Sequence, residues 1–455
     1  MLKRLVTVAV LLAFIFASSC TSNEQEQSQP EVKGSVQAAR THYIKGDYEK
    51  AEMELFEVLK KDNENPYAYF YLGFCAFRQA RFDEARKYLI EALRLNPSTE
   101  FCKAIQELFQ LENSRIMGSG KGFWFAPTLL SNSRSLALTI MDDTNGDNRV
   151  SLEDNTQIVH VQLESRQTSV LLPPEHIYAP SQASPDGKRI VYASIRTDTN
   201  GDGVVNQEDN AGIYSFDLEN RKETELIDAS FHNSDASFAP DGKSVYFASV
   251  RIDSNKDGYI DRSDNFAVYR HDLIQHTTTK VLGLAGDCRR PFVTDDENSL
   301  LVWGVNEDTD DNGAINSADY GGVYRYDLAN PRLEPLIHWY DKVNIFDFFP
   351  RGDKLAVVMD PDPGEERDRY EAERDDPEKF GFGLYIMSLD DGERKKVIYP
   401  TREVLAQPTL SPDGSVLAFQ RRNMQGTEFV CYYYELDKPY LTARELTKIL
   451  KSPWD

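Results

Sequence analysis

The chain is short of cysteine and of ordered histidine, and each shortage excludes a kind of chemistry. Its five cysteines among 455 residues, Cys20, Cys75, Cys102, Cys288 and Cys431, are too scattered for a disulfide framework or a zinc cluster. Cys75 and Cys102 fall on neighbouring predicted helices and either pair in an oxidising compartment or stay buried as small hydrophobic thiols. Seven histidines, His42, His160, His176, His232, His271, His276 and His338, make no metal-ligand pair at a known spacing. No G-x-S-x-G nucleophile elbow occurs. Gly118-Ser119-Gly120-Lys121-Gly122 resembles a phosphate loop only superficially: Arg115 occupies the first glycine position, and Gly122 stands where a hydroxyl must reach magnesium. Basic charge is scarce too, with 51 Lys and Arg against 74 Asp and Glu and a net charge of −23, so nucleic acid and anionic lipid surfaces are not expected partners.

What the chain does have is a repeated acidic loop. DTNGDNRVSLED from Asp143, DTNGDGVVNQED from Asp198, DSNKDGYIDRSD from Asp253 and DTDDNGAINSAD from Asp308 begin at a constant interval of 55 residues. An interval without drift marks a repeat architecture, one supersecondary unit per period. Positions 1, 3, 5 and 12 carry Asp or Asn, and position 6 is Gly in three copies, which is the ligand spacing of a calcium loop. The expected side-chain ligands are Asp143, Asn145, Asp147 and Asp154; Asp198, Asn200, Asp202 and Asp209; Asp253, Asn255, Asp257 and Asp264; and Asp308, Asp310, Asn312 and Asp319. The carbonyls of Arg149, Val204, Tyr259 and Ala314 stand at position 7. Up to four Ca²⁺ ions are therefore expected, one per loop. Gly203, Gly258 and Gly313 allow the sharp turn, and Asn148 tolerates it less well. The loop resembles those of dockerins and EF-hands, and only the loop is carried over from them. The plainer reading is four polar hairpins with Asn-Gly and Asp-Gly turns.

The chain before the repeats has two parts. Lys3 and Arg4, the apolar run Leu5–Ala17, which is too short to cross a bilayer, and Ala17-Ser18-Ser19-Cys20 resemble a bacterial lipoprotein signal. The resemblance implies a signal peptide over 1–19 and lipidation of Cys20, with 20–33 as a polar tether. The alternative is an ordinary signal peptide. From 34 to 117 the hydrophobic period is helical, and YLGFCAFRQARFDEARKYLIEALRLNP resembles a tetratricopeptide repeat: Leu72-Gly73, Ala85, Ala92 and Pro97 keep the family spacing, while Ala80 stands where Gly is usual. Gly46-Asp47-Tyr48 and Ala51 give a second copy upstream, and 98–115 a capping helix. The family holds protein or peptide partners in its groove. Residues 118–122 form a glycine-rich hinge.

From 123 to 455 each period alternates short β runs with turns, as in Ser184-Pro185-Asp186-Gly187 followed by RIVYASI, the acidic loop, GIYSFDL and ETELID. Four strands per period make a propeller blade, and FDFFPRGDKLAVVMD and PTLSPDGSVLAFQ continue the count to six. The SPDGK turn resembles the repeats of the TolB family, whose propellers have six blades. The expected fold is thus mainly β, a six-bladed β-propeller preceded by a small all-α helical-repeat domain. In the fifth period DPDPGEERDRYEAERDDPEKF replaces the loop, and is either a solvated hairpin or helix or a partner-docking finger. Counting by 55 along the channel-lining strands gives Phe125, Pro180, Asp235, Arg290 and Ile345, with Gln407 matched through its turn. Asp235, Arg290 and Gln407 form the expected axial pocket, in which Asp235 and Arg290 either pair or hold a polar ligand or a partner's terminus.

These features predict a non-enzymatic, calcium-stabilised adaptor lipoprotein of the cell envelope, lipid-anchored in the outer membrane and facing the periplasm or the cell surface. Its partner is an envelope protein or peptide held by the helical groove or a propeller face. The alternative is a propeller lyase or hydrolase acting on an extracellular polymer, although the histidine-rich metal site of TolB-like oligogalacturonate lyases cannot be assembled here.

Overall fold

The computed structural model describes residues 32–451 except 45–46, 80, 100, 104, 107–114, 117–122, 131–132, 152–153, 310, 312, 316–318, 338–344, 360–381, 391, 393, 402–403, 423–428 and 437–440. The lipoprotein-like segment with Cys20, the hinge, the acidic insertion and the ligands Asp310 and Asn312 lie outside the described residues. The chain divides into two compact units, Met1–Asn96 and Pro97–Asp455. This break precedes the 117 expected from the sequence, and the described part of 98–115 falls in the second unit.

The first unit is made of α1 (Val32–Ile44), α2 (Tyr48–Lys61), α3 (Pro66–Arg78) and α4 (Phe82–Leu95). Pro66 suits the first turn, which needs no donor there, and the Asn65 side chain accepts from the Ala68 N–H at 3.0 Å. Ala51, Leu55, Val58, Ala68, Leu72 and Cys75 form one buried cluster, the apolar stripe of a 3.6-residue period. Gly73 is where α3 meets α4: a Cβ there would stand 2.6 Å from the Leu89 side chain. Cys75, Cys102, Cys288 and Cys431 are all free and buried.

The second unit is built of antiparallel meanders. Four sheets have four strands: β9 (His232–Phe238) to β12 (Thr277–Leu282), β13 (Cys288–Val293) to β16 (Arg332–Ile337), β17 (Ile345–Arg351) to β20 (Arg394–Thr401), and β21 (Val404–Leu410) to β23 (Phe429–Glu435) with β1 (Arg115–Ile116) added. A seven-stranded sheet runs from β2 (Phe123–Leu129) through β3 (Ser135–Met141), β4 (Thr156–Gln162), β5 (Thr168–Ala183), β6 (Arg189–Ile195) and β7 (Gly212–Asp217) to β8 (Lys222–Ile227). Its long β5 pairs with β4 through Thr168–His176 and with β6 through Ile177–Ala183, so two meanders share one strand. Ile116 pairs with Cys431, which places an early strand on a sheet made by the last ones.

Neighbouring sheets bury each other's faces. Ile177, Val191, Ala193 and Ile213 interdigitate with Ala236, Phe238, Val245 and Phe247, each large side chain contributing about 1.5–3 kcal/mol of burial. Every residue of β10 (Ser244–Val250) is consequently buried, on both faces of its sheet. The fourth strands β8 and β12 alternate exposed with half-buried residues and expose Lys222, Glu225 and Lys280, charges that blunt a free edge.

One turn joins the first two strands of five meanders, whatever its sequence. Ser184, Ala239 and Ser411 donate to the carbonyl five residues on, and so do Leu130 and Thr294, whose segments lack the Pro-Asp-Gly signature. Its left-handed residue is Gly187, Gly242 or Gly414 in three cases and Ser133 or Glu297 in the other two, while β17 and β18 are joined by a tighter two-residue turn at Gly352 and Asp353.

Candidate functional site

The acidic loops connect β3 to β4, β6 to β7, β10 to β11 (Ala267–Asp272) and β14 (Ser299–Gly304) to β15 (Gly322–Asp327). Position 6 is left-handed in all four, at Asn148, Gly203, Gly258 and Gly313, as expected. Position 4 is left-handed too, at Gly146, Gly201, Lys256 and Asp311, a requirement that the pattern did not reveal because only two copies use Gly there.

Alternating oxygens fold the loop around itself. In the second copy Asp198 accepts from the Gly201 and Gly203 N–H groups at 2.6 and 2.8 Å, Asn200 from Asp202 at 2.9 Å, and Asp202 from Val204 at 2.8 Å. The closing Asp154, Asp209, Asp264 and Asp319 are buried. Oδ1 of Asp209 takes the Thr199 N–H at 2.6 Å, the Thr199 hydroxyl at 3.1 Å and the Asn200 N–H at 3.2 Å, while Oδ2 takes the Asn206 N–H at 3.0 Å. Asp154 and Asp264 do the same with their own loops. Burial alone would raise these three carboxyls, but the converging donors outweigh it and hold them below the ordinary aspartate range.

Sequence reasoning missed position 2. Thr144, Thr199, Ser254 and Thr309 each donate a hydroxyl to the closing Asp and accept the N–H of the residue after it, at 2.7–2.9 Å. A hydroxyl residue in all four copies was the available signal.

The donor set suits a hard cation. Among the described residues no three Cys, His, Asp or Glu side chains converge closely enough to hold a metal by themselves; the loops alternate carboxylates with Asn and a carbonyl. The third loop adds a direct observation: Lys256 does not donate to Asp253, and Oδ1 of Asp253 is buried without a hydrogen-bond partner, while Oδ2 accepts from Gly258 at 3.0 Å. An orphaned carboxylate oxygen is costly unless a cation meets it.

The second site lies where the first strands meet. A bulge interrupts the pairing of β2 after Phe125, β9 after Ser234, β13 after Arg289 and β21 after Ala406. The residues thrown out, Ala126, Asp235, Arg290 and Gln407, all have φ near +50°. Asp235, Arg290 and Gln407 therefore line one pocket, with Gln182 and Phe292. The count by 55 misplaces the first member, since the bulged residue is Ala126 and not Phe125; at Pro180 the bulge spans Ala179 and Pro180.

Of the two readings of Asp235 and Arg290, the direct pair does not form. Arg290 hydrogen-bonds Asp347, a buried residue of β17, where the irregularity falls between Ile345 and Asp347 and so displaces the axial position by two from the counted Ile345. Asp347 also accepts the Gln407 N–H at 2.7 Å, and Gln407 Oε1 accepts the Ala126 N–H at 2.6 Å. Burial raises the Asp347 carboxyl against the pull of Arg290; burial opposes the Arg290 charge, but Asp347 and then Asp235 raise its pKa above its ordinary value.

Of the described histidines, His232 is the most perturbed, pushed down to about 3 by burial, then by Arg262 and Arg289, with Nδ1 accepting the Ala211 N–H at 3.4 Å. It is a neutral acceptor between strands.

The chain therefore joins a small N-terminal helical unit to a mainly β unit with an axial polar pocket. Residues 66–99 match the tetratricopeptide repeat. No curated protein matches. Among solved structures the chain is similar to TolB from Acinetobacter baumannii, at 17% identity over 65% of this chain and 58% of that one, with a TM-score of 0.42. It is also similar to an oligogalacturonate lyase in complex with manganese (16%, 71% and 79%, 0.41) and to an acylaminoacyl peptidase from Pyrococcus horikoshii (14%, 66% and 43%, 0.42). The chain spans less than two thirds of the Acinetobacter protein.

Proposed function

We propose that the protein is a non-enzymatic adaptor of the cell envelope, a helical-repeat arm joined to a six-bladed, calcium-stiffened propeller. The observation that carries the adaptor reading is an aromatic face on the first helix of each helical pair. Tyr43 of α1 meets Tyr71 and Phe74 of α3 at ring-centroid distances of 5.9 and 6.0 Å, and all three remain half-buried. Partly exposed aromatic rings on a tetratricopeptide repeat suit a peptide partner, supplying apolar area at low entropic cost.

Calcium would be held in each loop by the oxygens of positions 1, 3 and 5 and the carbonyl of position 7. In the first three loops the closing carboxylate would contribute through Oδ2 alone, because there Oδ1 already takes three donors. The ion supplies charge neutralisation and stiffens the hairpin. Cys20 would carry the lipid, with the chain in the outer membrane facing the periplasm or the surface.

Affinity capture from detergent-solubilised envelopes tests the adaptor reading. The wild type should retain a partner that Phe74→Glu loses while keeping its helical content; retention of the same proteins by both would contradict a role for this face. A Cys20→Ser variant should leave the membrane fraction.

A further inference from the structure

Between the bulges at Asp235, Arg290 and Gln407 lies a cavity of about 60 Å³, walled in part by Phe292, Phe348 and Phe349. That is room for roughly four waters, or for one compact group on a thin stem. The charges around it do not cancel. Arg290 is committed to Asp347, so one cation stands against two carboxylates and the excess falls on Asp235. The hydrogen bond to the Asp235 carboxylate comes from the Ser234 hydroxyl, 3.0 Å from Oδ2. A left-handed bulge places Asp235 on the cavity wall.

We propose that this axial cavity binds a compact primary ammonium group, taken by the Asp235 carboxylate and faced by the phenylalanine rings. Three properties converge on that chemistry. The uncompensated carboxylate attracts a cation and repels an anion, and the guanidinium that would hold an anion is already occupied. Aromatic faces favour a cation stripped of some of its water. The volume accepts an ammonium on an alkyl stem. The amine comes from a partner's chain terminus, a partner's lysine or a free alkylamine; for the first two the proposal rests on the adaptor reading.

Isothermal titration of the full chain tests it with n-butylammonium and, as the matched anion, butyrate. Butylammonium should bind saturably and butyrate should not. Asp235→Asn should weaken binding about tenfold, as expected for loss of one partly buried ion pair, and asparagine tolerates the left-handed backbone, so the fold should persist. Glu219→Gln, which removes an exposed carboxylate elsewhere, should bind as the wild type does. Trialanine amide with a free amino terminus and N-acetyl-lysine amide then separate the sources: binding of the first alone points to a terminus, of the second alone to a lysine, and of neither, with butylammonium still bound, to a free amine. Preferential binding of butyrate, or equal binding of butylammonium by wild type and Asp235→Asn, overturns the proposal. If neither binds the amine and both capture the same partner, the cavity assignment falls while the adaptor reading stands.

Discussion

Arg290 on β13 gives its guanidinium to Asp347 on β17, and this pair, with the Gln407 N–H on the other oxygen of Asp347, ties three first strands together near their meeting point. Asp347 is 2% exposed, so its carboxylate cannot lose Arg290 and remain solvated.

Arg290→Met should therefore cost about 3 kcal/mol, because it strands a buried carboxylate. Arg290→Met with Asp347→Leu should recover part of that loss. Urea unfolding of the single and double variants measures the coupling, and strictly additive losses would mean the pair does not interact.

Stability should fall in acid partly through His232. Its ordinary pKa is 6.5 and the folded value is about 3, so between these the unfolded chain binds more protons and folding weakens as pH drops through the window. Above pH 6.5 the contribution is fully present. His232→Gln should flatten the melting temperature against pH between 6.5 and 4; an unchanged slope would assign the acid sensitivity to other groups.

Gly73 leaves no room for a side chain against Leu89. Gly73→Val should destabilise the helical unit by about 1–3 kcal/mol, and adding Leu89→Ala should relieve the clash. Thermal loss of helical circular dichroism reads both; a silent Gly73→Val would show that α3 and α4 separate freely.

Much of the architecture was legible because the acidic loops recur without drift. The spacing located four loops and their left-handed sixth position, and the turn signature located the first strands. Where the same backbone is formed by Ser133 or Glu297 in place of glycine, composition carries no mark. The axial pocket was legible only in part. Asp235, Arg290 and Gln407 share bulge positions and meet, yet the partner of Arg290 was not predictable, because β17 places its irregularity differently and brings in Asp347. Register shifts of that kind are set by packing between sheets rather than by local propensity. The Thr or Ser at loop position 2 was visible in every copy and passed over, because the ligand pattern does not require it.

Calcium in the loops is the central element of the proposed propeller. Each loop inside a meander gathers acidic groups that repel until a cation arrives, and a site with free calcium at 100 times its dissociation constant adds about 2.7 kcal/mol. The decisive measurement is the melting curve of the purified full chain in chelator and in millimolar calcium, with metal analysis of the same preparation. The expected result is bound calcium, a melting temperature many degrees lower in chelator, poor rescue by magnesium, which prefers a tight octahedron, and loss of one ion with part of the shift in Asp264→Ala. A preparation without calcium, whose melting curve is the same in both buffers, would contradict it.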